Sequence, residues 1–320
     1  MKIGLYDVDS TIPNLALMKL SAFHKERGDS VEWFLPNMTI GEGGFDKVYA
    51  STVFKDVPDD DLSDHSNLDP TRMTIGGSGW NLEGRLPPEI HRRVPDYSIY
   101  GYKHSLGFTA RGCRFNCKFC IVPQKEGRPK HENTIDEIWT QRDSDFVVLL
   151  DDDFFGGPQW AERVAELRQH NLKVCFSQGI NIRIITEEQC AALASLRFTN
   201  LHDTRHQVYF AWDRFRDERL IDAGIQRVWA AGIKPWQMAF FVLIGFDTTE
   251  EQDLYRVTKI RKLGCDAFAM PHKKNDPYQS AFARWVNGRL KNVEWKDYRG
   301  NLKKEAVAAA TPFDHPNLPM

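Results

Sequence analysis

Three cysteines fall within eight residues, in the run Arg111-Gly112-Cys113-Arg114-Phe115-Asn116-Cys117-Lys118-Phe119-Cys120. Thiols this close on one loop can converge on a single metal centre, and a loop bearing Arg, Lys and Asn is poor core material. A structural zinc site would need a fourth ligand, for which His131 is the candidate. Zinc sites of this kind usually combine two CxxC-like pairs, and here the second pair is missing. Three thiolates without a fourth better suit an iron–sulfur cluster with one iron left open. The spacing also differs from ferredoxin runs, which supply four cysteines. Cys175, Cys190 and Cys265 sit in apolar strand or helix contexts and read as core residues.

The elements that must position this loop form a regular rhythm. Strands are expected at 106–110, 146–151, 173–177, 207–212, 238–244 and 265–270, with helices at 134–142, 158–170, 186–196, 218–231 and 248–263. Thr186 with Gln189 and Thr248 with Glu251 are capping-box starts, and Gly232 and Gly264 stop two of the helices. Such βα repeats imply parallel strands with right-handed crossovers, in an open or partly closed barrel. Ahead of them, residues 1–100 read as a small α/β unit. It has strands at 2–7, 31–34, 47–51 and 73–75, and a helix over 14–27 with Gly28 as its C-cap. The cluster Gly76-Gly77-Ser78-Gly79 lacks GxGxxG spacing and reads as a tight turn. The prolines Pro87, Pro88 and Pro95 mark a linker, and residues 276–320 form an extension ending in a poorly ordered tail. The organisation is therefore 1–100, 101–275 and 276–320.

Composition narrows the class. The chain is 42% hydrophobic and 27% charged, with 42 Lys+Arg against 44 Asp+Glu, which suits a globular protein with real cores and not a polyanion binder as a whole. No apolar run reaches the roughly 18 residues of a membrane span; the longest is Met238 to Phe246. The opening MKIGLYDVDS reads as a strand, not a cleavable signal, and six cysteines make no disulfide scaffold. The expectation is a cytoplasmic protein with no membrane partner.

CxxxCxxC with an aromatic residue, Phe119, directly before the third cysteine resembles the signature of the radical S-adenosylmethionine (radical SAM) superfamily. The resemblance covers about residues 100 to 275. It implies a (β/α)6 partial barrel, preceded here by a small flavodoxin-like α/β domain. Cys113, Cys117 and Cys120 would hold a four-iron four-sulfur cluster whose open iron binds S-adenosylmethionine through its amino and carboxylate groups. An external one-electron reductant would drive cleavage to a 5′-deoxyadenosyl radical, which takes hydrogen from a substrate left unassigned. The family grips the SAM amino group at the second strand end, where this chain has Asp151-Asp152-Asp153 instead of Gly-Gly-Glu. Gln178, Asn181 and Arg183 are similar to the ribose- and carboxylate-binding segment. Ile244-Gly245 resembles the segment supporting the adenine. Trp212-Asp213 and His272 end two further strands, where either a substrate-side or a structural role fits.

An α/β unit ahead of such a core resembles the superfamily branch with an N-terminal cobalamin-binding domain, which raises cobalamin-dependent methyl transfer. The DxHxxG motif is missing, since Asp64-His65 has the wrong spacing, and a degenerate domain covering the barrel fits better. Asp7, Asp9, Ser10 and Asn14 follow the first strand as candidate contacts. From Lys273 to Lys304, nine Lys/Arg meet three acids with Trp285, Trp295 and Tyr298 interleaved. Such a stretch either binds nucleic acid or packs on the barrel as an amphipathic helix, and the second is the expectation.

Overall fold

A computed structural model of the chain describes residues 1–35, 38, 40–54, 72–288 and 293–299. Asp64-His65, the basic residues Arg289, Lys291, Lys303 and Lys304, and the closing tail lie outside the described residues.

The N-terminal sheet contains β1 (Lys2–Asp7), β2 (Ser30–Trp33), β3 (Lys47–Ser51) and β4 (Met73–Gly76), all parallel in the order β2-β1-β3-β4. Helix α1 (Leu15–Glu26) follows β1. Asn14 starts it by accepting from the amides of Ala16 and Leu17, and Gly28, at φ 81°, ends it with a bond to the Lys25 carbonyl. The glycine cluster after β4 is a turn, as expected. A Cβ on Gly77 would stand 2.1 Å from the Thr52 carbonyl oxygen, so only glycine lets the two strand ends lie together.

The second half carries β5 (Ser105–Gly107), β6 (Ala110–Arg111), β7 (Lys130–His131), β8 (Phe146–Leu149), β9 (Lys173–Phe176), β10 (Arg197–Phe198), β11 (Val208–Ala211), β12 (Met238–Ile244) and β13 (Asp266–Pro271). Its main helices are α2 (Trp160–Gln169), α3 (Glu187–Ala194), α4 (Glu218–Ala230), α5 (Glu250–Lys262) and α6 (Pro277–Asn287). Two parallel sheets run β10-β9-β8-β5 and β11-β12-β13, and a parallel bridge between Ile180 and Phe210 joins them just past β9. The mixed α/β class with parallel strands is thus observed. No helix among the described residues is long and apolar enough to cross a membrane.

Three sequence expectations change. The strand expected over 106–110 stops at Gly107, because the amides of Thr109 and Ala110 bind the Asp151 carboxylate and the chain turns into the antiparallel hairpin β6–β7. The helix expected over 134–142 is one turn, Ile135–Ile138. The Trp139 indole donates to the Ser144 carbonyl and the Gln141 amide to the Ser105 hydroxyl, which draws the chain off the helical path. Helix α5 starts from Thr249 with Gln252, not Thr248 with Glu251; the overlapping sequence Thr-Thr-Glu-Glu-Gln offers both boxes. The Thr186–Gln189 box and the stops at Gly232 and Gly264, both at positive φ, are present.

Alternation along the strands divides the core. Val147, Leu149, Val174, Phe176, Phe240 and Val242 face the helices in one large cluster. The opposite face presents Phe146, Val148 and Cys175, and Met18 of α1 packs there beside Tyr97 and Leu106. Leu17 and Leu20 of the same helix pack on β1. Helix α1 is therefore shared between the two halves. Cys175, Cys190 and Cys265 are buried, as expected of core thiols. Trp285 and Trp295 are 5% and 4% exposed, so these aromatic rings are core residues and are not available for stacking bases.

Candidate functional site

The cysteine loop begins where β6 ends. Gly112, at φ 93°, precedes Cys113, and a Cβ there would meet the carbonyls of Gly127 and Arg128 at 2.6–2.7 Å. The Cys113 amide donates to the Gly127 carbonyl at 3.1 Å, and that of Cys120 to the Cys117 carbonyl at 3.0 Å. All three thiols are partly exposed. Burial pushes the Cys113 thiol up to about 11, with further upward pushes from Asp153, Cys120 and Cys117. Burial also raises Cys120, with contributions from Asp152, Cys117 and Asp213. Three thiols and three acids therefore share one electrostatic neighbourhood. Among the described residues no three His, Cys, Asp or Glu side chains stand in a geometry that would hold a metal ion, the loop thiols included. His131 is exposed on β7.

The three acids after β8 have separate roles. Asp151 is buried and accepts from the amides of Thr109 (2.7 Å) and Ala110 (3.0 Å) and from the Thr109 hydroxyl. Desolvation outweighs those bonds and raises it to about 7. Asp153 takes both arms of the Arg114 guanidinium, at 2.8 and 2.9 Å, together with the Arg114 amide, which fastens the cysteine loop to the strand end. Among the described residues Asp152 accepts one long bond, 3.3 Å, from the Gly112 amide, and burial raises it to about 6. Of the three it keeps the most unused acceptor capacity beside the thiols.

Gln178 is exposed after β9. Asn181 accepts from the amide and Nε of Arg183. The Arg183 guanidinium bonds Asp217 at 2.8 Å and lies 4.9 Å from the centre of the Phe115 ring, so it reaches the cysteine loop from the side. Trp212 is buried, with its indole bonded to the Arg214 carbonyl at 3.0 Å. Asp213 beside it is raised to about 6 by desolvation and faces Arg183, Arg256 and Arg214. Phe119 meets Phe246 edge-on at 5.4 Å, and Phe246 meets His272 at 4.8 Å, a chain of rings from the loop to the end of β13. Ile244 is buried; its carbonyl accepts from the His272 amide.

Sequence reasoning missed the group that holds the β12 end in place. Arg256 and Asp253 are fully buried and paired at 2.6 Å. Arg256 also donates to the carbonyls of Trp212 and Leu243, while Asp253 accepts from the Gly245 amide (3.0 Å) and the Tyr278 hydroxyl (2.9 Å). The signal was available: 253, 256, 257 and 260 are the buried stripe of α5, and two of those positions carry opposite charges.

The N-terminal candidates are spent on internal bonds. Asp9 accepts from the amides of Val53 and Phe54 and the Thr52 hydroxyl. Asp7 accepts from the Ser10 amide and the Tyr100 hydroxyl, and Asn14 donates to Ser10 and Ser51. N-terminal residues touch the second half just past the cysteine run, where Lys125 donates to the Ser78 hydroxyl and Arg85 donates to the Lys125 carbonyl, and past β13, where Lys274 lies 3.8 Å from the Phe54 ring centre. Comparison with models of known protein families gives no match, and neither does comparison with curated protein sequences.

Proposed function

We propose that this chain is a radical SAM enzyme in which Cys113, Cys117 and Cys120 hold a four-iron four-sulfur cluster. The observation that carries the reading is the seating of the cysteine loop against the ends of parallel strands. Asp153 fastens it at β8, Cys120 faces Asp152 and Asp213, and Phe119 contacts Phe246 past β12. Ligand sites in parallel α/β folds lie at this end of the strands. The consecutive order of β5, β8, β9, β11, β12 and β13, joined by the Ile180–Phe210 bridge, supports a partial (β/α)6 barrel. The order β2-β1-β3-β4 supports a flavodoxin-like arrangement ahead of it.

The donor set fits the cluster chemically. Thiols that push one another's pKa upward repel as thiolates, and a cationic metal centre is what relieves that repulsion. Binding requires the three side chains to turn toward one centre. When bound, the cluster supplies one electron for reductive cleavage of S-adenosylmethionine. The chain's own residues do the rest. Asp152, as a carboxylate, accepts a hydrogen bond from the SAM amino group, Asp151 holds the start of the loop in register, and the Asp153–Arg114 pair keeps the loop seated. Arg183, through Asn181 and Asp217, presents its guanidinium beside Phe115 for the SAM carboxylate, with Gln178 at the ribose. Phe119 and Phe246 shield the centre from water, while Ile244 and Gly245 back the adenine. The internally bonded N-terminal strand ends support a covering role for residues 1–100 over a cobalamin-binding one.

Anaerobic reconstitution with iron and sulfide tests this. A brown protein with about four irons per chain that cleaves S-adenosylmethionine under an added one-electron reductant is expected. A colourless protein holding stoichiometric zinc would overturn it, and loss of that zinc in His131→Ala would make the site Cys3His.

A further inference from the structure

The helix-distant face of the second half is only partly covered. Over β8 and β9 it is filled by Met18, Tyr97 and Leu106. Tyr209 continues it onto β11, where its ring stacks on Phe241 at 4.9 Å and 19°. Beyond that point, Phe241 pairs in register with Phe268, and Leu243 with Met270. Phe268 and Met270 are 47% and 44% exposed, although they sit in the middle of a strand. The two rings Phe241 and Phe268 meet edge-on at 6.0 Å. An exposed apolar surface of this kind, continuous with a core, marks a place where another molecule packs.

Its position says what would lie on it. Met270 is two residues before His272, and the rings of His272, Phe246 and Phe119 lead from there to the cysteine loop. We propose that the open face of β12 and β13, formed by Phe241, Leu243, Phe268 and Met270 beside Tyr209, binds the planar aromatic body of the substrate. The proposal rests on reading the cysteine loop as the cofactor site. From Tyr209 on β11 across β12 to β13, three strands span about 10 Å, enough to seat a fused ring pair. The near-parallel Tyr209–Phe241 pair and the edge-on Phe268 form a surface that favours a rigid ring over a flexible chain, because offset-stacked and edge-on contacts both need a planar partner. A ligand seated there would extend toward His272, which brings its ring substituents to the cysteine loop.

Equilibrium dialysis of the purified full-length protein against 2-naphthol and against 1-octanol tests the wall directly, with light scattering to follow association. Saturable binding of one 2-naphthol per chain, tighter than 1-octanol, is expected. The double variant Phe268→Gln, Met270→Gln should weaken 2-naphthol by at least about tenfold. Phe268→Leu, which keeps the surface apolar, should lose preference for the ring while still binding 1-octanol. Circular dichroism checks that both variants fold. Equal binding of 2-naphthol to the native and double-variant proteins, or preference for 1-octanol, would overturn the proposal. So would a native dimer dispersed by the double variant, which would assign the face to a second copy. Binding of 2-naphthol without iron uptake would leave this wall standing and remove the cluster reading; iron uptake without 2-naphthol binding does the reverse.

Discussion

Among the three acids after β8, environment and not identity assigns the roles. Asp151 and Asp153 have their oxygens committed to the loop they hold, while Asp152 carries one long bond. Asp152→Asn should therefore weaken S-adenosylmethionine binding by about 1.5–3 kcal/mol, the worth of a hydrogen bond to a charged group, and leave cluster colour intact. Calorimetric titration of the reconstituted protein measures it. Asp151→Asn should instead destabilise the fold, since an amide cannot accept both backbone N–H groups and a hydroxyl in the same geometry. Any one of Cys113→Ala, Cys117→Ala or Cys120→Ala should abolish iron–sulfur absorbance and SAM cleavage; retention of both in one variant would sink the assignment. The raised acids also set a pH dependence. Asp152 and Asp213 are held near 6, against about 3.9 for an unfolded aspartate. Their contribution to stability is full below about pH 4 and is lost as pH rises through about 6, because the folded state binds the protons more tightly. Binding of the SAM amino group at Asp152 has the opposite sign and strengthens as pH rises through the same value, because the carboxylate is the form that accepts its hydrogen bond. Urea unfolding of the metal-free protein across pH 4–7 should show the first slope, flattened in Asp152→Asn, Asp213→Asn.

At the scale of elements, the β12 end depends on a helix behind it. Arg256 and Asp253 project from α5 into a fully buried site and tie the Trp212 and Leu243 carbonyls, the Gly245 amide and the Tyr278 hydroxyl together. Breaking such a pair by removing one partner leaves an uncompensated buried charge, which costs about 3–5 kcal/mol. Arg256→Met should lower stability by that amount in denaturant titration. It should also weaken S-adenosylmethionine binding, because the Leu243 carbonyl, two residues before Gly245, loses its donor. The α5 sequence itself predicted a helix, with acids in its first turn and bases in its last. Its buried stripe was legible as a face; that the stripe includes an ion pair aimed at a neighbouring strand end was not, because the partners come from β11, β12 and α6.

At the scale of the whole molecule, α1 joins the two halves. Leu17 and Leu20 serve the N-terminal sheet and Met18 serves the second one. Met18→Ala should cost about 2–5 kcal/mol and lower the melting of both halves together in a single transition. A chain beginning near residue 101 would uncover Leu106, Phe146 and Val148, and is expected to aggregate on expression. The division at residue 100 marks separate sheets but not separately buried cores.

The sequence by itself determined the repeating strand–helix order, the approximate place of the main elements, the Thr186–Gln189 box, the stops at Gly28, Gly232 and Gly264, and the run with three thiols in eight residues, because these follow from periodicity, capping and local spacing. Only the tertiary structure decided which acid carries a single long bond, that the rings of Trp285 and Trp295 belong to the core, and that Phe268 and Met270 stay exposed on one sheet face. Those outcomes depend on which distant groups compete for the same oxygen or cover the same surface. Residues 42 positions apart, Asp151 and Thr109, meet only because β5 and β8 pair side by side. Local patterns carry no record of that competition; the packed chain does.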